Sequence, residues 1–377
     1  MVEPFKNFFN ETVIRSMAGH LSRTAQDTAH AFDGDEFIAF ALDGLDGLEL
    51  KQRSSRLTDG LECQLPDDFG SACDLLVASL NPSDADPDDK IERGIKGWPV
   101  MAMADYVARH GQNHVGLSLE VLKQMTSRFT SEFAIRPFLH NHPGETLKTL
   151  ATWTQDQNHH VRRLVSEGSR PRLPWGMQLK NFVKDPSPVV ALLENLKDDP
   201  SEYVRRSVAN NLNDISKDHA DLVGNIAVRW MSAASPARQR LVRHGLRSLI
   251  KAGHRGALHA LGYDKPKIDL KHFSVLTRQV KLGQALEFDI ALSSASQVDQ
   301  PLIIDYAVHH MRANGKTSPK VFKWKNTVLK SGTSLNATRR HMFRLITTRR
   351  YYPGRHRVEL MINGQSFGSV DFQFDIE

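Results

Sequence analysis

One short pattern in this chain recurs with helical spacing. Asn158 to Val165 (NHHVRRLV) matches Ser201 to Val208 (SEYVRRSV) at an offset of 43, and the stretch from Pro200 to Lys217 returns as Ser235 to Lys251 at an offset of 34. Each copy follows another helix-patterned segment. Helix pairs repeated at such periods cannot bury their apolar faces alone, so neighbouring copies are expected to stack into a solenoid with one helix of each pair on a concave face. Identity between the copies is low, and a plain helical bundle is the competing architecture.

The surrounding sequence agrees with a HEAT-like version of that solenoid. Residues 1–78 place apolar residues at three- and four-residue spacing in PFKNFFNETVIRSMAGHL and DEFIAFALDGLDGLELKQRSSRL, with Asp33 or Asp35 able to cap the second helix. Asn81 to Lys90 (NPSDADPDDK) reads as a surface loop, being rich in Pro and Asp. From Ser118 to about Gly262 helical patterns alternate with short breaks such as NHPGE, KDPSP and SAASPA, and strand patterns are absent. After Gly262 the pattern changes to β-branched and aromatic alternation in ALEFDIALS, PLIIDYAVHHM, KVFKWKNTVL, HMFRLITT and HRVELMING. About seven strands in a stretch of this size fit an immunoglobulin-like sandwich. The expected fold is an all-α HEAT-like repeat solenoid followed by an all-β immunoglobulin-like sandwich, with domains at 1–262 and 271–377 and a linker at 263–270.

Of the 377 residues 40% are hydrophobic and 24% are charged, which excludes a disordered chain and suffices for two domains with cores. No apolar run reaches the length of a membrane-spanning helix, and the first 20 residues lack a signal-peptide pattern, so a soluble, cytoplasmic, monomeric protein without membrane contact is expected. Cys63 and Cys73 are the only cysteines and indicate neither a zinc site nor a disulfide framework; no metal and no cofactor are expected. The formal charge of +6 hides a strong asymmetry. Residues 1–120 carry 10 Lys/Arg against 21 Asp/Glu (net −11), residues 121–260 carry 21 against 12 (+9), and residues 267–377 carry 17 against 9 (+8). A basic two-thirds behind an acidic front is the distribution of a polyanion-binding surface, although a merely solvated basic surface is compatible with charge alone.

No Walker loop, GxGxxG after a strand, HExxH, GxSxG or CxxC pair is present, which removes the commonest nucleotide-binding, metallohydrolase and serine-hydrolase readings. The unusual residues concentrate in NHHVRRLVSEGSRPRLPWG (158–176). If Val161 to Ser169 is helical, Arg163 and Glu167 share a face with Arg170 one turn on, and a carboxylate between two guanidiniums stays ionised in a fixed geometry. Pro171 and Pro174 end the helix and project Trp175 from a stiff turn. The bland alternative is a solvated surface ion pair beside a buried Trp. In the next copy Asn210, Asn211, Asn213 and Asp214 follow one another; such poor helix formers mark either a working face or an exposed helix end. Glu132, in FTSEFAIRPF, is either a third carboxylate of the same groove or a charge at a helix N-terminus.

The blocks GWPVMAMADYVARHG (97–111), FTSEFAIRPFL (129–139), NHHVRRLVSEGSRPRLPWG (158–176) and DPSEYVRRSVANNLNDISKDH (199–219), followed by a β domain, resemble the AlkC-type alkylpurine DNA glycosylases of the HEAT-like-repeat superfamily. The resemblance covers nearly the whole chain. It implies excision of N-alkylated bases, mainly 3-methyladenine and related cationic lesions, from double-stranded DNA without deep base flipping, by a monofunctional enzyme that needs no lysine nucleophile. It further implies Glu167 and Asp214 in the catalytic groove, Trp175 against the lesion nucleotide and Glu132 as a supporting or catalytic carboxylate. Arg163 and Arg170 would orient Glu167 or hold phosphate. Arg162, Arg205, Arg206, Asn210, Arg243 and Arg247 in the repeats, and Arg339, Arg340, Arg349 and Arg350 in the β domain, are the expected DNA contacts, with about half of the arginines being ordinary surface charges. A non-enzymatic repeat scaffold that binds DNA is the alternative, since fold does not dictate function.

Overall fold

A computed structural model describes residues 4–82, 93–347 and 349–376; most of the loop expected at 81–90 therefore lies outside the described residues. Contacts divide the chain into two compact units, Met1–Asp218 and His219–Glu377. This division precedes the boundary expected at 262, because the helices that follow Asp218 group with the β-strands.

The first unit begins with a 3-10 turn at Phe5–Phe8 and continues through α1 (Glu11–Asp27), α2 (Gly34–Leu42), α3 (Leu50–Gln64), α4 (Phe69–Ala78), α5 (Pro99–His110) and α6 (Val115–Thr126). It is completed by α7 (Ile135–Asn141), α8 (Pro143–Trp153), α9 (His159–Gly168), α10 (Lys180–Lys184), α11 (Ser187–Leu196) and α12 (Glu202–Ile215). Asp33 rather than Asp35 caps α2, its Oδ1 accepting from the Glu36 N–H at 2.9 Å, while Asp35 lies in the first turn, where a negative charge complements the positive end of the helix dipole. Proline starts α5 and α8, where its missing N–H costs nothing.

The repeat copies share a local device that explains their common spacing. The Arg162 guanidinium folds back onto the Asp156 and Gln157 carbonyls at 2.8 and 3.0 Å. Arg205 does the same to the Asp199 and Pro200 carbonyls at 2.5 and 2.8 Å, and Gln239 donates to the Ala234 carbonyl at 3.0 Å. In each case a long donor five residues into the copy satisfies a carbonyl of the loop that leads into the helix. α9 lies against α12 while α8 lies against α11, the layered order of stacked helix pairs rather than of a plain bundle.

The second unit contains α13 (Ala220–Met231), α14 (Pro236–Gly245), α15 (Arg247–Lys251) and α16 (Arg255–Ala260). Eight strands follow: β1 (Ile268–Val275), β2 (Gln279–Lys281), β3 (Ala285–Ser294), β4 (Gln300–Met311), β5 (Thr317–Leu329), β6 (Ser334–Met342), β7 (Gly354–Ile362) and β8 (Gln365–Asp375). They form a three-stranded sheet, β1-β3-β6, and a five-stranded sheet, β2-β8-β7-β4-β5. All pairings are antiparallel except the short β2 with β8. Phe288, Tyr306, Val308, Phe343, Val358 and Phe374 fill the core at one end, and Leu292, Leu302, Ile304 and Leu360 fill it at the other.

HMFRLITT does not form the strand expected of it. The strand is SLNATRRHM, whose Ser334 pairs with Ser293 and whose Met342 pairs with Ala285. Phe343 is the last residue here to enter the core, whereas Leu345 is 82% exposed; the apolar alternation outruns the partner strand, and register follows the partner. α16 and the turn before it pack on the β7–β8 turn. Gly253 and Gly364 both have positive φ, and a Cβ on Gly364 would fall 2.5 Å from the Gly253 Cα, so neither position admits a side chain.

Candidate active site

The site is built in the first unit from three places along the chain: the turn before α7, the end of α9 with the loop after it, and the stretch of α12 from Ser207 to Asp214. α12 packs on α9, and Asn211 stitches the two by donating to the Ser166 carbonyl at 2.8 Å and to Ser169 Oγ at 3.2 Å. Asn211, Asn213 and Asp214 are all buried, at 0%, 4% and 1% exposure, so the polar run of α12 is an inward face and not an exposed helix end.

Arg170 is the hub. Its Nη1 donates to Glu167 Oε1 at 2.6 Å and its Nε donates to Asp214 Oδ2 at 2.7 Å. The other oxygens are also held: Ser207 Oγ donates to Glu167 Oε2 at 2.5 Å, and Lys217 Nζ donates to Asp214 Oδ1 at 2.9 Å. Arg163 ion-pairs with Glu132, lies 3.7 Å from Glu167 Oε1 and donates to Thr130 Oγ1 at 2.7 Å. Thr130 Oγ1 in turn donates to Glu132 Oε2 at 2.8 Å. Glu132, Glu167, Arg170 and Asp214 are buried. Burial lowers the Arg170 pKa, but the bonds and charges of Asp214 and Glu167 outweigh it and raise the guanidinium above its ordinary range. Three buried carboxylates are thus matched by cations on fixed partners, the condition under which buried charge is tolerated.

Trp175 is carried on the loop 168–177, which is clamped from beneath. The wholly buried Arg136 of α7 donates to the carbonyls of Gly168 and Arg170 at 2.8 Å and to that of Met177 at 2.6 Å. Burial, reinforced by the nearby Arg170, lowers the Arg136 pKa to about 10. Lys51 of α3 donates to the Trp175 carbonyl. Trp175 itself has φ +63°, an unusual conformation for a bulky residue that the surrounding clamps hold in place. Its side chain is 63% exposed. The bland alternative of a surface ion pair beside a buried Trp therefore does not hold: the ion pairs are buried and the Trp stands in solvent.

These groups open onto one groove. A cavity of about 310 Å³ is lined by Glu132, Glu167, Arg170 and Trp175 together with Lys51, Trp98, Phe129 and Phe133. Phe5 sits edge-on to Trp175 at 6.1 Å and Phe8 stacks on Trp98 at 5.2 Å. Phe5 and Phe8 are half-exposed in spite of their aromatic character, so the acidic N-terminal portion supplies an aromatic rim to the groove. Sequence reasoning missed this rim, together with Lys51 and Arg136; PFKNFF was read only as part of a helix pattern and GWP only as part of a block shared with the family. Asp214 lies behind Arg170. Tyr203 was missed as well: its ring accepts the Arg163 guanidinium at 5.3 Å.

The expected DNA-contacting residues divide sharply. Arg162 chelates Asp199 at 2.6 and 3.0 Å in addition to its own loop and so joins two copies, whereas Arg205 is held by the loop that leads into its own helix. Arg206 is exposed and Asn210 half-buried on α12. In the second unit Arg243 and Arg247 are exposed and line a cavity with residues of β5. Arg339 lies over the Tyr306 ring at 5.7 Å and Arg349 bonds His310, which turns both toward the sandwich. Arg340 pairs with Glu287 at 2.8 Å, and Arg350 is exposed over Tyr352 at 5.5 Å. No group of three or more His, Cys, Asp and Glu side chains suited to a metal occurs among the described residues. No helix among them is long and apolar enough to cross a membrane.

Comparison with known proteins agrees along the whole chain. Residues 269–376 match the family model described as the C-terminal Ig-like domain of YhaZ. A Bacillus subtilis protein described as uncharacterized protein YhaZ is 36% identical over 370 residues, 98% of each chain. The solved structure of Pseudomonas fluorescens alkylpurine DNA glycosylase AlkC, bound to DNA containing an abasic-site analogue, superposes with a TM-score of 0.84 at 35% identity, covering 99% of this chain and 100% of that one.

Proposed function

The chain belongs to the AlkC-type alkylpurine DNA glycosylases, and on that premise we propose that it hydrolyses the N-glycosidic bond of N-alkylated purines in duplex DNA. The observation that carries this reading is the meeting of carboxylates held by arginine hydrogen bonds and an exposed Trp in one groove. An alkylpurine such as 3-methyladenine carries positive charge in the nucleotide, so it leaves with the glycosidic electron pair as a neutral base. The positive charge then passes to the deoxyribose ring. The enzyme has to stabilise that cation and bring water to C1′, and a preorganised carboxylate does so without reorganising at the moment of reaction.

Glu167 is the residue assigned to the sugar cation. Arg170 and Ser207 hold its two oxygens, so its carboxylate is fixed before substrate arrives. Glu132, held by Thr130 and Arg163, lies on the same wall, from where a carboxylate accepts the proton that the attacking water loses. Asp214 acts through Arg170. Trp175 offers a π face to the cationic nucleotide. The groove is rimmed by aromatics, with Trp175 standing in solvent, which supports contact with a lesion that stays near the duplex instead of entering a deep pocket. Arg206, Asn210, Arg340 and Arg350 remain as phosphate contacts.

The test is release of 3-methyladenine from methylated duplex DNA by the wild type, Glu167→Gln and Asp214→Asn. Both variants are expected to lose about 10² or more in rate, the loss seen when a preorganised electrostatic group is removed. Wild-type rates in both variants would reject the site. A wild type that binds DNA but releases no base would favour the scaffold reading.

A further inference from the structure

The second unit holds a cavity that the glycosylase chemistry does not use. It measures about 460 Å³ and is lined by Arg243, Arg247 and Lys251 from α14 and α15 and by Lys320 and Lys323 from β5, with Asp305 of β4 among them. Pockets of this size hold small molecules. Five cations around a single carboxylate give the cavity a strong excess of positive charge, the setting for a phosphate group.

Asp305 makes the cavity more than a basic patch. It is only 8% exposed, and its Oδ1 has no hydrogen-bond partner among the described residues. Burial raises its carboxyl to about 6, with Lys323 pulling the other way. A buried acceptor left without a donor is uncommon in folded proteins and marks a place where a donor is to be supplied. Ile250, Ile303 and Phe322 provide an apolar wall in the same cavity. The three parts match a molecule with a phosphate, a flat apolar body and a neutral N–H or O–H. Duplex DNA presents its phosphates on a continuous outer cylinder, and a backbone passing over this cavity would leave the Asp305 acceptor unserved.

We propose that this cavity binds a small phosphorylated ligand of the nucleoside monophosphate class, with its phosphate on the lysines and arginines and a base or sugar donor on Asp305. The site is separate from the groove of the first unit and does not depend on the activity assigned there.

The test is calorimetric titration of the full chain with dAMP, inorganic phosphate and deoxyadenosine as separate probes. dAMP is expected to bind one-to-one, with each of the two fragments about tenfold or more weaker. The double variant Lys320→Glu/Lys323→Glu is expected to weaken dAMP about tenfold or more. Asp305→Ala is expected to weaken dAMP but not inorganic phosphate, a contrast that simple charge removal does not produce. Thermal unfolding of each variant verifies that it is folded. The proposal is overturned if folded wild type shows no dAMP binding at millimolar concentration, or if the variants bind dAMP as the wild type does. It is equally overturned if the lysine variant weakens only undamaged duplex DNA while dAMP stays unbound, which would assign the cavity to the DNA track.

Discussion

Arg170 reaches from the turn after α9 to Asp214 on α12, Nε to Oδ2 at 2.7 Å, and through that bond the geometry of Glu167 depends on a residue of the next repeat. The ion pair sits behind a groove of which Arg170 itself is a wall, so it serves both the fold and the chemistry.

Replacing Arg170 therefore strands two buried carboxylates at once. Arg170→Ala is expected to destabilise the chain by about 3–5 kcal/mol, the cost of removing one partner from a buried ion pair. Arg170→Lys retains the charge but not the fork that reaches Glu167 and Asp214 together, and is expected to fold with excision reduced about tenfold or more. Denaturant unfolding and base release on the same preparations check both. An Arg170→Lys enzyme as fast as wild type would remove the positioning role.

Trp175 separates activity from stability. Its side chain is 63% exposed, so Trp175→Ala is expected to change stability by no more than about 0.5 kcal/mol. Loss of an aromatic face for a cationic nucleotide is worth about 2 kcal/mol when desolvated, so base release is expected to fall by tenfold or more. A variant with unchanged release on folded protein would place the lesion elsewhere.

Lys51 lines the groove, which raises the question of a lysine nucleophile. Its Nζ donates to the Trp175 carbonyl and lies 4.9 Å from the Phe133 ring centroid, whereas an attacking amine must be free of such a bond. Borohydride added during turnover is expected to trap no covalent adduct, and the product strand is expected to remain uncleaved at the abasic site. A trapped adduct that disappears in Lys51→Gln would contradict this.

The second unit is expected to lose stability on mild acidification. Burial, aided by Arg349, lowers the His310 pKa to about 3, and burial aided by Arg339 lowers that of His341 to about 4. Both are neutral in the fold, while the unfolded chain takes up their protons near the ordinary histidine value of about 6.5. Their contribution is complete above that pH and is lost as pH falls from there toward 4. Asp305, whose carboxyl is raised to about 6, works in the opposite direction below 6, but burial lowers the His356 pKa as well, so three histidines oppose one carboxyl. Melting temperature measured from pH 8 to 4 is expected to decline below 6.5, and less so in His310→Gln. A melting temperature independent of pH across that range would refute the assignment.

Much of the fold was legible because its signals are local. The repeat, the helix starts and the change to alternating strands depend on neighbours within a turn or a pleat. The alternation of HMFRLITT misled because register belongs to the partner strand: β6 ends where β3 stops offering partners, at the Met342–Ala285 pair. Which arginines are engaged inside the protein was unreadable for a related reason. Arg162 and Arg206 are both basic helix positions in sequence, yet Arg162 meets Asp199 across 37 residues and Arg206 meets solvent.

The sequence by itself determined which chemistry was possible: helical repeats, a β-sandwich after them, one carboxylate with arginines at helical spacing and two more elsewhere in the chain, and a Trp held between proline and glycine. The tertiary structure decided which of these groups were buried and which were presented. Stacking α12 on α9 buries Glu167 and Asp214 around Arg170, while Arg136 and Lys51 hold the Trp175 loop out. Burial arises when faces distant in sequence pack together and exclude water, and no spacing within one helix encodes which side its neighbour will cover.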